Sequence, residues 1–319
     1  MQESIHTPEN NWLVVINPNA GNRKTEKDWP KIEKSLRKQG FKFSAVFTQN
    51  RSHAIRLTVS MIAEGYRKII VVGGDGTLNE VVNGIFKQTS CHPKEMIVGL
   101  VPVGTGNDWG RMYQLPKKYK EAIAVIKKGQ LFKQDIGFVS YHDDEGKQDR
   151  YFVNVSGMGY DALVARKTNR MKDSGHGGSL AYLINIFTGL FQYKYSLFNI
   201  MVDDKEVFKG RVLSMNIGIC KYNGGGLMQL PNAISDDGLL DVTIIKSTAR
   251  LNIFRYIGKL YDGSFINLRF VSTYRGKTCR IVSNPPHSVY LEADGETLGH
   301  SPLDFSSRQK ALSFIIPRK

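Results

Sequence analysis

The sequence predicts two folded parts, an α/β first half built on a parallel sheet and an antiparallel, mostly β second half. Three observations carry this reading. From Trp12 to about Asp135, short apolar runs alternate with helical ones. After Asp135 the apolar runs are separated by Gly, Asn and Asp turns. Each strand of the first half ends in a loop rich in Gly, Asn or Thr, and in open α/β sheets ligands bind outside the carboxyl ends of the strands. The length of 319 residues suits about two domains, set here at 1–135 and 136–319 with the break near Gly129 to Gly137. The C-terminal end is left free to return to the first.

Trp12 to Ile16 reads as the first strand. A helix follows from about Thr25 to Lys38, with Trp29, Ile32 and Leu36 at helical spacing and Gly40 as its stop. Phe41, Phe43, Ala45 and Phe47 alternate as a second strand that ends at Thr48, and Ser52 is placed to cap a helix running to Gly65. Lys68 to Val72 and Met96 to Val101 read as buried strands. In the second half, strands are expected at Arg150 to Val155, Phe208 to Ile219, Leu240 to Lys246, Thr278 to Val282 and Val289 to Ala293. A helix interrupts them, with an apolar stripe from Leu180 to Phe191 that faces either the core or lipid and is too short to cross a bilayer at about 20 residues per span.

Lys plus Arg total 44 against 29 for Asp plus Glu, a net charge of +15, which draws the chain toward polyanions. With 41% apolar and 10% aromatic residues, disordered and fibrous classes are excluded. Cys91, Cys220 and Cys279 are widely spaced and lack a CxxC pair, so neither a disulfide framework nor a zinc cluster is indicated and a reducing compartment fits. Met1 to Asn11 is polar and shows no secretory signal. The seven histidines show no metal spacing.

The strongest feature is Gly73-Gly74-Asp75-Gly76-Thr77, between a buried strand and the helical run Leu78 to Phe86. Glycines let the backbone turn sharply against a ligand, and the helix N-terminus offers free N–H groups to phosphates. Asp75 inside such a loop would repel phosphate unless a metal or an acceptor hydroxyl stands between them. The structural alternative is a tight turn in which Asp75 caps a helix. Pro102-Val103-Gly104-Thr105-Gly106-Asn107-Asp108 repeats the architecture on the next strand, and Asn17-Pro18-Asn19-Ala20-Gly21 adds a third loop.

Other nucleotide motifs fail. Gly276-Lys277-Thr278 lacks the upstream glycine of a P-loop, where Val271 stands, and precedes a strand. Gly157-Met158-Gly159-Tyr160-Asp161-Ala162 matches GxGxxA but lies in the β-rich half without a convincing acidic residue about 20 positions on.

Asn17 to Gly21, Gly73 to Thr77 with Leu78-Asn79-Glu80, Gly104 to Asp108 and the late Asp294-Gly295-Glu296 together resemble the diacylglycerol kinase catalytic-domain family, closest to its soluble bacterial lipid kinases and extending to sphingosine and ceramide kinases. The likeness runs in order over nearly the whole chain. GGDGT alone is shared with NAD kinases and, loosely, phosphofructokinases.

The resemblance implies an ATP-dependent lipid kinase, most simply one making phosphatidic acid from diacylglycerol. Its N-terminal nucleotide domain would be followed by a C-terminal β-sandwich bearing the DGE motif and the lipid site, with the active site in the cleft between them. It implies ATP contacts at Asn17, Pro18, Asn19, Ala20, Gly21, Thr48, Gly74, Asp75, Gly76, Thr77, Leu78, Asn79, Glu80 and Thr105. Asp75 would help organise the magnesium and phosphate region, and Glu296 or Asp294 would accept the proton of the lipid hydroxyl. A structural magnesium would sit on the Asp237 carboxylate and the backbone oxygens of Ile234 and Leu239. By spacing alone Asp294-Gly295 and Asp237-Gly238 are also ordinary turn signals.

Lys117, Lys118 and Lys120, Lys127 and Lys128, and Arg166, Lys167, Arg170 and Lys172 form basic clusters. They read either as solvated faces or as contacts to anionic lipid headgroups, which would make the protein cytoplasmic and peripherally membrane-associated. Aromatic residues do not interleave with them, so nucleic acid is not an expected partner. A homodimer is admitted without being required. The alternatives kept open are a NAD kinase-like phosphotransferase, a sphingoid or other lipid kinase, and a non-catalytic nucleotide or membrane binder.

Overall fold

The computed structural model describes residues 11–104, 106–173, 190, 193 and 195–318. The chain divides into two compact units, residues 1–136 with 310–319, and residues 137–309. The last ten residues therefore belong with the first unit.

The first unit is a parallel sheet in the order β4-β3-β1-β2, made of β1 (Trp12–Ile16), β2 (Phe43–Phe47), β3 (Lys68–Gly73) and β4 (Ile97–Pro102). β1 and β3 are central, and their runs Leu13 to Ile16 and Ile69 to Val72 are fully buried, as strands covered on both faces should be. α1 (Ala20–Lys38) packs Ile32 and Leu36 into the core formed with Val14, Ile70 and Val101. Gly21, Asn22 and Arg23 have left-handed φ of 64°, 62° and 63°, so regular helix begins close to the expected Thr25. The second strand is shorter than the alternation suggested: Phe41 is buried ahead of it, and Phe47 is 45% exposed at its end.

α2 (His53–Ala63) corrects another expectation, since Ser52 has φ 62° and makes no capping bond. The cap comes from α3 (Asp75–Lys87), where the Glu80 carboxylate accepts from the Ser52 and Ala54 N–H groups at 2.7 and 3.1 Å. α4 (Asp108–Met112) and α5 (Tyr119–Lys128) follow β4. A fifth parallel strand reaches the sheet from the far end of the chain, as Ser313 and Phe314 pair with Ile97 and Val98 of β4.

The second unit is antiparallel. It comprises β5 (Gln130–Asp143, from Gly137 onward), β6 (Gly146–Phe152), β7 (Val155–Gly159), α6 (Tyr160–Asp173), β8 (Ser196–Val202), β9 (Lys205–Gly218), β10 (Tyr222–Asn223) and β11 (Leu227–Met228). β12 (Leu240–Lys246), β13 (Val271–Gly276), β14 (Thr278–Asn284), β15 (Tyr290–Ala293) and the first part of β16 (Glu296–Ile316) complete it. One layer runs β13-β12-β9-β7-β15-β16, and a second runs β9-β8-β14-β16. The long strands β9 and β16 serve both layers, the usual way a β-sandwich turns its corners. The apolar stripe expected at 180–191 lies outside the described residues except for Leu190, which is buried. Among the described residues, no helix is long and apolar enough to cross a membrane.

Candidate active site

In the first unit the loops leaving β1, β3 and β4 are tied together at the carboxyl ends of the strands. Asn17 donates its backbone N–H to the Val72 carbonyl (3.1 Å) and its side-chain amide to the Thr77 hydroxyl (3.0 Å). Its own Oδ1 accepts from the Asn19 N–H at 3.0 Å. Val103 N–H donates to the Gly73 carbonyl at 2.8 Å, which brings the two glycine loops side by side. A Cβ at Gly104 would stand 2.8 Å from Asn107 Oδ1 and 3.2 Å from Gly74 Cα, closer than side chains tolerate. Glycine is needed there because two backbones nearly touch. Thr48, at the end of β2, bonds back to the Ile16 carbonyl and is buried.

Asp75 stands at the start of α3, and its carboxylate accepts from the Asp108 and Trp109 N–H groups at 3.0 and 3.1 Å. It thus caps α4 from the neighbouring loop. Burial pushes its carboxyl upward and these backbone donors pull it back, with a net rise. α4 is anchored by Trp109, which is fully buried, packs on Phe314 at 4.8 Å and donates its indole N–H to Gln134. Asn107 has φ 50°; its Nδ2 donates to the Gly104 carbonyl, while its buried Oδ1 has no partner among the described residues. A buried acceptor without a donor, beside two open glycine loops, suits a cation or a ligand donor.

The expected nucleotide residues divide. Asn17, Pro18, Ala20, Gly21, Gly74, Asp75 and Gly76 are partly accessible, and Asn19 is exposed. Leu78 and Asn79 are fully buried, so their side chains belong to the core and only their backbone belongs to the helix N-terminus. Glu80 is spent on the α2 cap. Thr105 lies outside the described residues.

In the second unit, Asp294 and Gly295 form a two-residue hairpin turn with φ of 50° and 83°, pairing Ala293 with Glu296. The turn signal read at Asp294-Gly295 is thus realised, and Asp294 and Glu296 do not lie on one extended segment. Asp294 is buried, and its carboxylate accepts from the Val153, Asn154 and Val155 N–H groups at 2.7, 2.9 and 3.3 Å. A carboxylate so committed is a poor proton acceptor. Glu296 opens β16 and is half-buried.

At the magnesium site implied for Ile234, Asp237 and Leu239, the Asp237 carboxylate is engaged by protein donors. Asp237 Oδ1 accepts from the Leu239 N–H at 3.0 Å, and Oδ2 is paired with Arg275 at 2.5 Å. The same guanidinium reaches Asp241 at 3.1 Å. That guanidinium competes with any cation for the Asp237 carboxylate; among the described residues no group of three or more His, Cys, Asp or Glu side chains forms a metal cluster, and the implied site calls on one carboxylate and two backbone oxygens.

The GxGxxA segment does run from strand β7 into helix α6, yet its chemistry is that of a buried polar network. Asp161 accepts from Ser214 (2.5 Å), Asn216 (2.8 Å) and Gln229 (3.2 Å), and burial raises its carboxyl. Glu292, on the adjoining β15, was missed in the sequence. The available signal was a carboxylate inside the short apolar run Val289 to Ala293.

Residues 11–139 match the model of the diacylglycerol kinase catalytic domain, and residues 154–316 match that of the YegS C-terminal NAD kinase beta sandwich-like domain. The chain is 30% identical over 305 residues to a diacylglycerol kinase of Staphylococcus carnosus (strain TM300), covering 96% of this chain and 94% of that relative. It is 29% identical over 306 residues to a diacylglycerol kinase of Mycobacterium tuberculosis (strain ATCC 25618 / H37Rv), with 96% and 94% covered. Among solved structures, a diacylglycerol kinase of Bacillus anthracis str. Sterne superposes with TM-score 0.70 at 22% identity over 96% of this chain and 97% of that one. Yeast NADH kinase complexed with NADH superposes with TM-score 0.56 at 10% identity over 98% and 85%. These two likenesses show a shared fold, whereas the family models and the curated relatives go further: the chain belongs to the diacylglycerol kinase catalytic-domain family and is a lipid kinase.

Proposed function

We propose that this lipid kinase transfers the γ-phosphate of ATP to the free hydroxyl of diacylglycerol, giving phosphatidic acid and ADP. The observation that carries the nucleotide half is the convergence of the Asn17–Gly21, Gly73–Thr77 and Val103–Asn107 loops on one rim of the parallel sheet, where close glycine backbones leave amides and the α3 N-terminus for phosphate. Asn17 to Gly21, Thr48 and Gly74 to Thr77 are assigned to ATP. Asp75 holds the Gly104–Asp108 loop in place beside the magnesium that accompanies the nucleotide, with Asn107 Oδ1 as a further oxygen on that side. Magnesium, when bound, neutralises charge on the transferring phosphoryl group.

Glu296 is assigned the proton of the acceptor hydroxyl. As the hydroxyl oxygen bonds to the γ-phosphorus, the bond to the bridging β,γ-oxygen breaks, ADP leaves and the proton passes to the Glu296 carboxylate. Asp294 is left to hold the turn. Exposed Lys117, Lys118, Lys120, Lys127 and Lys128 support peripheral binding to an anionic membrane surface, each cation near the surface adding about 1 kcal/mol.

The deciding experiment incubates the purified protein with γ-labelled ATP, magnesium and, separately, diacylglycerol, monoacylglycerol, sphingosine, ceramide and NAD. Label in diacylglycerol is expected. Label in sphingosine or ceramide alone would move the acceptor, and label in NAD alone would refute the reading.

A further inference from the structure

Glu292 is 2% exposed and is held at both carboxyl oxygens, Oε1 accepting from Asn223 Nδ2 at 2.9 Å and Oε2 from the Gly295 N–H at 2.8 Å. Gly295 is the second residue of the turn that delivers Glu296, and its φ of 83° is one that glycine adopts without steric cost. Room for the carboxyl comes from Gly157, the residue paired with Glu292 across β7 and β15. A Cβ at Gly157 would lie 2.6 Å from Glu292 Oε1, so any side chain there would expel the acid. The GxGxxA match is thereby accounted for: its first glycine admits a carboxyl group.

We propose that Glu292 is a positioning residue for the Asp294-Gly295 turn, pinning the Gly295 amide so that Glu296 is presented in one orientation. This rests on reading Glu296 as the proton acceptor. Two acidic side chains divide the labour: Asp294 ties the turn outward to the β6–β7 junction, and Glu292 ties it back to the strand it leaves.

The arrangement also makes the turn responsive to pH. The charges acting on Glu292 are Asp161 from α6 and Asp294 from its own turn, both acidic, while its neighbours Gly157 on β7, Asn223 on β10 and Thr297 on β16 do not titrate. Burial and those two carboxylates push Glu292 up to about 8 against the pull of its two donors. At neutral pH it carries a proton. On losing it, the bond from the Gly295 N–H becomes charge-assisted and tightens.

The test uses the full chain labelled with 15N-glycine, without nucleotide, and follows the Gly295 amide from about pH 6 to about pH 10, across the range of a carboxyl raised by burial. The resonance is assigned by its loss in Gly295→Asn, which tolerates left-handed φ. A midpoint near 8 is expected in the wild type and in Glu296→Gln, with a flat response in Glu292→Gln. In the lipid kinase assay Glu292→Ala, which accepts from neither donor, should lower kcat about tenfold or more with KM for ATP unchanged, whereas Glu292→Gln, the isostere of the protonated acid, should keep kcat near wild type at pH 7 and lose any step near pH 8. Wild-type kcat in Glu292→Ala would overturn the proposal, as would a Gly295 amide that titrates in Glu292→Gln as it does in the wild type. Should Glu292→Ala fail to fold, the amide titration in the wild type and Glu292→Gln decides. Failure of the kinase reading itself would appear as absent lipid phosphorylation in the wild type and leave the amide titration untouched.

Discussion

The two units solve opposite problems with the same few residue types. In the first, glycines bring the Gly73–Thr77 and Gly104–Asp108 loops almost into backbone contact, and Asp75 is spent on capping α4. In the second, glycine makes space for an acid, and Asp161, Glu292 and Asp294 are each buried or partly buried within donor sets. The first strips side chains away so that a ligand can meet amides. The second gathers carboxylates and settles their charge by hydrogen bonds and protonation. A carboxylate in a kinase motif is thus no guide to its role until its donors are counted.

Substitutions can break that contrast. Glu296→Ala should have the largest effect, lowering kcat by about 10²- to 10⁴-fold while KM for ATP and the melting temperature stay near wild type, as loss of a general base predicts. Equal losses of kcat and stability would make Glu296 structural. Next comes Gly104→Ala, whose methyl group would meet Asn107 Oδ1 and the Gly74 backbone. KM for ATP should rise about tenfold or more, because a small displacement of reacting groups is costly, with the lipid KM unchanged. Asp294→Asn should cost about 1.5–3 kcal/mol per charged hydrogen bond weakened, read as a fall in melting temperature, with activity following stability.

A smaller effect follows from Glu292. Its carboxyl is raised in the folded chain from 4.5 to about 8, so between those values the folded state keeps a proton that the unfolded state releases. Stability should therefore decline as pH rises through that window. Glu292→Gln should flatten the decline, measured as melting temperature at a series of pH values; an unchanged slope would place the titration elsewhere. The smallest effect concerns Arg275. With its guanidinium on Asp237 and Asp241, Arg275→Met should lower the melting temperature. A melting temperature that rises with magnesium in the nucleotide-free wild type and not in Asp237→Ala would support the magnesium site implied at Asp237.

Much of this was legible in the sequence because it is local. β1 has the bounds read from Trp12 to Ile16, and the glycine loops follow β3 and β4 where the apolar runs end. What escaped was pairing at long range. Nothing near Ser52 shows that Glu80 caps its helix, nothing near Asp237 points to Arg275, and nothing near Asp294 reveals three amides about 140 residues earlier in the chain. Spacing identifies a turn, but the choice of donor for a buried carboxylate is made only when distant strands meet.

The fifth strand of the first unit has a consequence for how the molecule is made. Residues 1–136 leave the ribosome early with the glycine loops already in sequence, but β4 keeps an open edge until Ser313 and Phe314 are translated and pair with Ile97 and Val98. The Trp109 ring likewise waits for Phe314. A nascent chain therefore carries an unfinished sheet through most of its synthesis, and loss of the segment from residue 313 onward would leave a product with an exposed sheet edge, open to chaperones and proteases.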